Sequence, residues 1–133
     1  MCLESKTIFP KIAKKDIVCY KVIDIENYSV FNRNYQYNEH KINKAIGGFM
    51  LIKYILFYFF HFFYKKPYIF IRYYSGILHS FKSKDYTLNL FNNLRKDESY
   101  TIWECIIPKG SLYFEGHYNE YGSRKLKLVR KVC

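Results

Sequence analysis

The sequence contains no C-x-x-C pair and no histidine at zinc-finger spacing. Its four cysteines (Cys2, Cys19, Cys105, Cys133) and four histidines (His40, His61, His79, His117) are scattered along the chain. A structural metal site is not expected from that pattern. The sequence also lacks G-x-G-x-x-G, G-x-x-x-x-G-K-[ST] and H-E-x-x-H, which removes the common dinucleotide, P-loop and zinc-hydrolase chemistries, and no cofactor is expected. No internal repeat is present. The first fifteen residues carry no apolar h-region, so a secretory signal is not expected. Reduced thiols in a cytoplasm are then the expectation, and the Asn27-Tyr28-Ser29 sequon has no role there. Acidic residues are scarce: 11 Asp and Glu stand against 22 Lys and Arg, giving a net charge of +11 over 133 residues.

That excess is divided almost evenly between the two halves of the chain, which points to a generally basic surface rather than a basic tail. Such a surface attracts nucleic acid, anionic lipid or acidic protein alike. Half the residues are apolar and 21% are aromatic, with 15 Tyr and 12 Phe. The composition is that of a chain with a packed core rather than a disordered one. The length suits a single domain over residues 1–133. Residues 1–15 read as an irregular basic lead-in. Residues 45–64 form an apolar and aromatic run broken by Lys53 and His61. Twenty such residues match a membrane span in length, but Lys53 near the centre costs roughly 2.5–3.5 kcal/mol on insertion. The run is either a deeply buried helix or a membrane attachment.

Pattern along the chain predicts the following elements. Residues 16–25 form a strand, apolar on both faces and hence central. Residues 26–44 form a loop with a short helix near 38–44. Residues 68–74 and 76–81 are strands, and 83–96 an amphipathic helix capped by Ser83 or Asp85, with Leu88, Phe91 and Leu94 inward. Residues 99–107 are the strongest strand. Pro108-Lys109-Gly110 is a turn, Ser111 to Glu115 leads to a break at Gly116, and Tyr121-Gly122-Ser123 turns into an edge strand over 125–132, whose lysines discourage edge-to-edge pairing. The predicted class is α+β: a small, mainly antiparallel sheet with one amphipathic helix and one strongly apolar helix.

Three blocks carry a resemblance: Met1-Cys2-Leu3 with Asp16-Ile17-Val18-Cys19-Tyr20-Lys21; Gly76-Ile77-Leu78-His79-Ser80-Phe81; and Glu104-Cys105-Ile106-Ile107-Pro108-Lys109-Gly110-Ser111 with Tyr113 and Gly116. They resemble a family of small uncharacterised proteins from Bacteroidetes and their bacteriophages. The resemblance covers about a third of the chain and implies a phage or mobile-element setting without a known activity. Leu78 interrupts the second block, and the Phe-rich run has no counterpart in the family. A second resemblance, to ADP-ribosyltransferase-like folds, rests on Tyr20-Lys21, Ser80 and Ile107-Pro108-Lys109-Gly110, and implies an enzyme using NAD. Glu104, Glu115 and Glu120 lack the local pattern of that family's catalytic glutamate.

His79 and Ser80 are adjacent on a strand and point to opposite faces, so they do not form a nucleophile–base dyad. Glu104 and Cys105 have the same geometry, and Cys105 reads as a buried inert thiol. Five of the eight residues from Arg124 to Lys131 are basic, and with nearby tyrosines they suit a nucleic-acid backbone. The reading is therefore a non-catalytic binding module. The alternatives are membrane attachment through residues 45–64 or a transferase-like enzyme. The candidate contact residues are Tyr20, Lys21, His79, Ser80, Lys109, Arg124, Lys125, Lys127 and Arg130. The candidate partners are a host protein or a polyanion, a membrane, or a second copy of the chain.

Overall fold

The computed structural model describes residues 3–4, 6, 9–30, 35–46, 70–71, 77–93 and 99–132. Among them are the strands β1 (Leu3–Glu4), β2 (Lys11–Ile12), β3 (Ile17–Asp24), β4 (Ile42–Lys44), β5 (Phe70–Ile71) and β6 (Leu78–Phe81). The helix α1 (Lys84–Asn93) follows, then β7 (Tyr100–Ile107), β8 (Leu112–Glu115), β9 (Glu120–Ser123) and β10 (Lys125–Lys131). Eight strands form one sheet in the order β2-β8-β9-β6-β3-β7-β10-β4, while β1 and β5 pair separately. Every pairing is antiparallel. The centre is the β3–β7 pair, in register from Ile17 opposite Ile107 to Asp24 opposite Tyr100. Both strands are rich in β-branched and aromatic residues, which pack well on a pleated, covered surface.

The connections force this sheet to coil. β9 ends at Ser123 and β10 begins at Lys125, yet β6, β3 and β7 lie between them in the strand order. Four strand spacings in a flat sheet span about 19 Å, whereas two Cα steps reach about 7.6 Å. The sheet must therefore wrap until β9 and β10 approach, with Arg124 as the corner where the chain passes from one side to the other. Backbone bonds close the corner: Arg124 N–H donates to Leu112 O at 3.0 Å, and Ala45 N–H to Arg124 O at 2.8 Å. The turn after β7 makes the same crossing. Ser111 N–H donates to Pro108 O at 3.0 Å, and Gly110 N–H to Ala13 O at 2.8 Å. Gly110 there adopts φ +86°, a conformation open to glycine without strain.

The inward face carries the main core: Ala13, Cys19, Ile23, Tyr37, Leu78, Trp103, Cys105, Ile107, Leu126 and Leu128. The outward face is covered in parts. α1 packs on β3, β6 and β7, over fully buried Val22 and Ile102. Its N-terminus is capped by Ser83, whose Oγ accepts from Tyr86 N–H at 3.3 Å, as a Ser at that position does. Phe81 and Tyr86 contact through their rings, as do Phe91 and Tyr100. Over β9 the covering group is Leu3, and a Cβ on Gly122 would lie 3.0 Å from Leu3 Cδ2 and 2.6 Å from Ile77 Cδ1. Glycine stands there because neighbouring side chains already fill the Cβ space.

Several expectations need correction. The α+β class with a strongly apolar helix is replaced by a sheet-dominated fold with a single ten-residue helix among the described residues. No helix among them is long and apolar enough to cross a membrane. Most of the apolar run, residues 47–64, lies outside the described residues. The short helix expected near 38–44 is instead a turn leading into β4. It is built around buried Asn43, whose Oδ1 accepts from Asn38 N–H at 2.7 Å and whose Nδ2 donates to Asn38 O at 3.0 Å. Tyr121-Gly122-Ser123 is strand rather than turn. β10 is not an edge strand along its first half, where β4 pairs with Lys125, Leu126 and Lys127. The lead-in contributes β1 and β2.

Candidate functional site

Strand alternation divides the candidate residues between two faces. Lys21 points inward with Ile17, Cys19 and Ile23, and it is only 2% exposed. Its Nζ donates to His79 O at 2.5 Å and lies 4.9 Å from the Tyr37 ring centroid. Burial lowers its pKa from 10.5 to about 8, against a smaller upward pull from Cys105 and Cys19. Those two thiols face one another across β3 and β7. Both are free and buried. Burial raises Cys19 to about 11 and Cys105 well above its usual value, so both stay protonated and unreactive at neutral pH.

Ser80 also points inward and is fully buried. Its Oγ makes no hydrogen bond of good geometry and leans on the Cys19 thiol. The Ser111 and Ser123 hydroxyls are likewise buried without a hydrogen-bond partner. His79 points outward, opposite Gly122, with its Nδ1 buried and unpartnered. Burial first, then the nearby Lys21 charge, holds its pKa down to about 3. The structure thus joins Lys21, Ser80 and the His79 carbonyl on one side of the sheet, and leaves the His79 ring on the other.

Tyr20 is half-buried on the outer face, opposite Glu104 and Phe81. Glu104 pairs with exposed Arg130 at 3.0 Å. Lys109 sits on the turn, where its N–H donates to Asp16 Oδ1 at 2.9 Å. Arg124 occupies the corner between β9 and β10. Lys125 and Lys127 are exposed on the outer face of β10, where Lys125 stands directly opposite Lys44 and Lys127 opposite Ile42. Among the described residues no carboxylate pairs with Lys44, Lys125 or Lys127. Exposed Ile42 and Val129 lie beside them. Lys131 covers the Trp103 ring at 5.6 Å.

A third cluster surrounds Glu115. Its carboxylate pairs with Lys82, with Lys11 at 3.4 Å and with Lys6 at 3.5 Å. The Lys82 hydrogen bond is the main cause of a pKa lowered to about 2. The stabilisation is present above the unfolded carboxylate range and is lost as pH falls through about 2. Because the group is a quarter exposed, solvent screens the network to about 1 kcal/mol. Glu115→Gln leaves three lysines facing each other, and thermal melts at low ionic strength are expected to show a drop of a few degrees that shrinks at 0.5 M salt (about 2–8 °C per kcal/mol). A drop independent of salt would show that packing, not charge, is responsible.

Sequence reading named Ser80 but missed Lys44, Tyr37, Glu115 and the buried serines Ser111 and Ser123. Lys44 meets Lys125 only through a pairing between distant segments, and no local pattern announces it. Among the described residues no group of three or more His, Cys, Asp or Glu is placed to hold a metal ion. No family model, curated protein or solved structure matches this chain.

Proposed function

We propose that this chain is a non-catalytic binding module that takes a polyanion on the outer face of β10 and β4. The observation that carries the reading is the placement of Lys44 directly across from Lys125, with Lys127 two residues along the same face. Like charges in direct cross-strand register are destabilising, and a row of phosphates or carboxylates laid over them relieves that repulsion. Exposed Ile42 and Val129 add apolar contact beside the charges. The surrounding chain, at +11, adds long-range attraction. Within the described residues, the three sequence blocks that support a phage or mobile-element setting fall on Leu3 of β1 and on β3, on β6, and on β7 with its turn into β8.

The test is fluorescence anisotropy of labelled single- and double-stranded oligonucleotides, titrated with salt, beside polyglutamate as a protein-like polyanion. Combined Lys44→Gln, Lys125→Gln and Lys127→Gln is expected to flatten the log Kd against log salt slope by about 2–3, since each phosphate contact contributes roughly 0.7–0.9. Preference for polyglutamate assigns the surface to an acidic protein. Absence of salt-sensitive binding to every polyanion rejects the reading.

A further inference from the structure

We propose that the inward face around Lys21 is a binding site for a small monocarboxylate. Lys21 is a buried cation, and among the described residues no carboxylate reaches it. Its polar contacts are one carbonyl, of His79, and the face of one ring, Tyr37, which leaves ammonium protons without acceptors. Buried charges in folded proteins are ordinarily paired, so the arrangement lacks an anion.

The hydroxyls supply the second, independent observation. Ser80 and Ser123 are fully buried and Ser111 is 3% exposed, yet none of the three Oγ atoms has a hydrogen-bond partner of good geometry, Ser80 having only the Cys19 thiol beside it. Buried polar groups are overwhelmingly satisfied in native proteins. Register places Ser80 and Ser123 on the inward face with Lys21. Tyr20 pairs with Phe81, which sets Lys21 across from Ser80. Ser80 in turn pairs with Tyr121, two residues from Ser123 on β9. A cation without an anion and the Ser80 hydroxyl thus stand side by side on adjoining strands, with Ser123 on the next strand of the same face, opposite Leu78.

The charge count selects the ligand. One ammonium among neutral donors balances one negative charge. A phosphate dianion would bury a second charge with no counterpart among the described residues. By register the nearest inward side chains are Trp103, directly opposite Lys21, with Cys19, Ile23, Cys105 and Leu78 beside them, and they suit an aliphatic or aromatic body on the carboxylate. This site lies on the opposite face of the sheet from the lysines of β10 and β4, so it stands or falls independently of them.

Acetate, benzoate and octanoate are the probes, added to the full chain at constant ionic strength against chloride. At least one is expected to raise Tm saturably by several degrees. Lys21→Met is expected to abolish the rise, and Ser80→Ala and Ser123→Ala to weaken apparent affinity by about tenfold each, the worth of a hydrogen bond to a charged group. The Lys44→Gln, Lys125→Gln, Lys127→Gln variant is expected to keep it. No saturable rise with any probe overturns the proposal, as does a rise that survives in Lys21→Met or disappears in the β4–β10 variant. Should Lys21→Met not fold, the NMR titration of the wild-type Lys21 side chain decides. An upward displacement of its midpoint with the carboxylate supports the site, and an unmoved midpoint overturns it.

Discussion

His79→Leu is expected to remove most of the acid sensitivity of this fold between pH 6.5 and pH 3. In the unfolded chain the imidazole takes a proton near pH 6.5; in the folded chain it does so only at about 3, because it is buried and lies near Lys21. Across that window the unfolded state binds more protons, so stability falls as pH falls. The full difference corresponds to at most about 5 kcal/mol. His79 keeps some accessible surface, which reduces the expectation to about 3 kcal/mol. Leucine carries no proton, and it also removes the unpartnered Nδ1, so stability at pH 7 is expected to hold or rise. Urea titrations at pH 7, 5 and 4 measure the effect. Wild-type and variant curves that fall in parallel would show that the acid loss lies elsewhere, with the Glu115 carboxylate the next group to test below pH 4.5.

Lys21→Met is expected to change sign with pH. The ammonium is held to about 8 chiefly by burial, against 10.5 when free. Between those values the unfolded chain binds more protons, so wild-type stability rises with pH by about 3 kcal/mol and is flat below pH 8. Methionine has a similar length and no charge to desolvate. It leaves the His79 carbonyl without its ammonium donor, a loss of about 1 kcal/mol. The variant is thus expected to be more stable than wild type by about 2 kcal/mol at pH 7, and less stable by about 1 kcal/mol above pH 10.5. Denaturant midpoints at pH 7, 9 and 10.5 locate the crossover. A constant gap between the two proteins would mean that Lys21 titrates normally in the folded state.

The parts of the fold legible in the sequence were those whose evidence is local. β3, β6, β7 and α1 carry their own alternation or capping residue; the structure places the three strands within two residues of the expected bounds and starts α1 one residue after its expected start, its expected end at 96 lying outside the described residues. Alternation also separated His79 from Ser80. It grouped Lys21 with Cys19 and Ile23 but could not say which face was interior, because Val18, Tyr20 and Val22 on the other face are equally apolar. β9 was hidden for a different reason. Gly122 and Ser123 have the composition of a turn, yet Gly122 is small because Leu3 and Ile77 crowd it from outside, and only tertiary contacts reveal that. β10 looked like an edge because its lysines are exposed. β4 covers half of it, and β4 itself was concealed by Asn43, a buried amide that binds its own turn. The juxtaposition of Lys44 with Lys125 depends on that same concealed strand.

The central pairing has a consequence for how the chain is made. Ile23 and Thr101, which meet across β3 and β7, are 78 residues apart, and such non-local contacts slow folding toward milliseconds or seconds. During synthesis at roughly 5–20 residues per second, β3 waits about 4–16 s before its partner exists. Both edges of this apolar strand are open until β6 emerges, and the edge that β7 covers stays open until β7 leaves the ribosome, which makes that edge the place where a shielding partner would act.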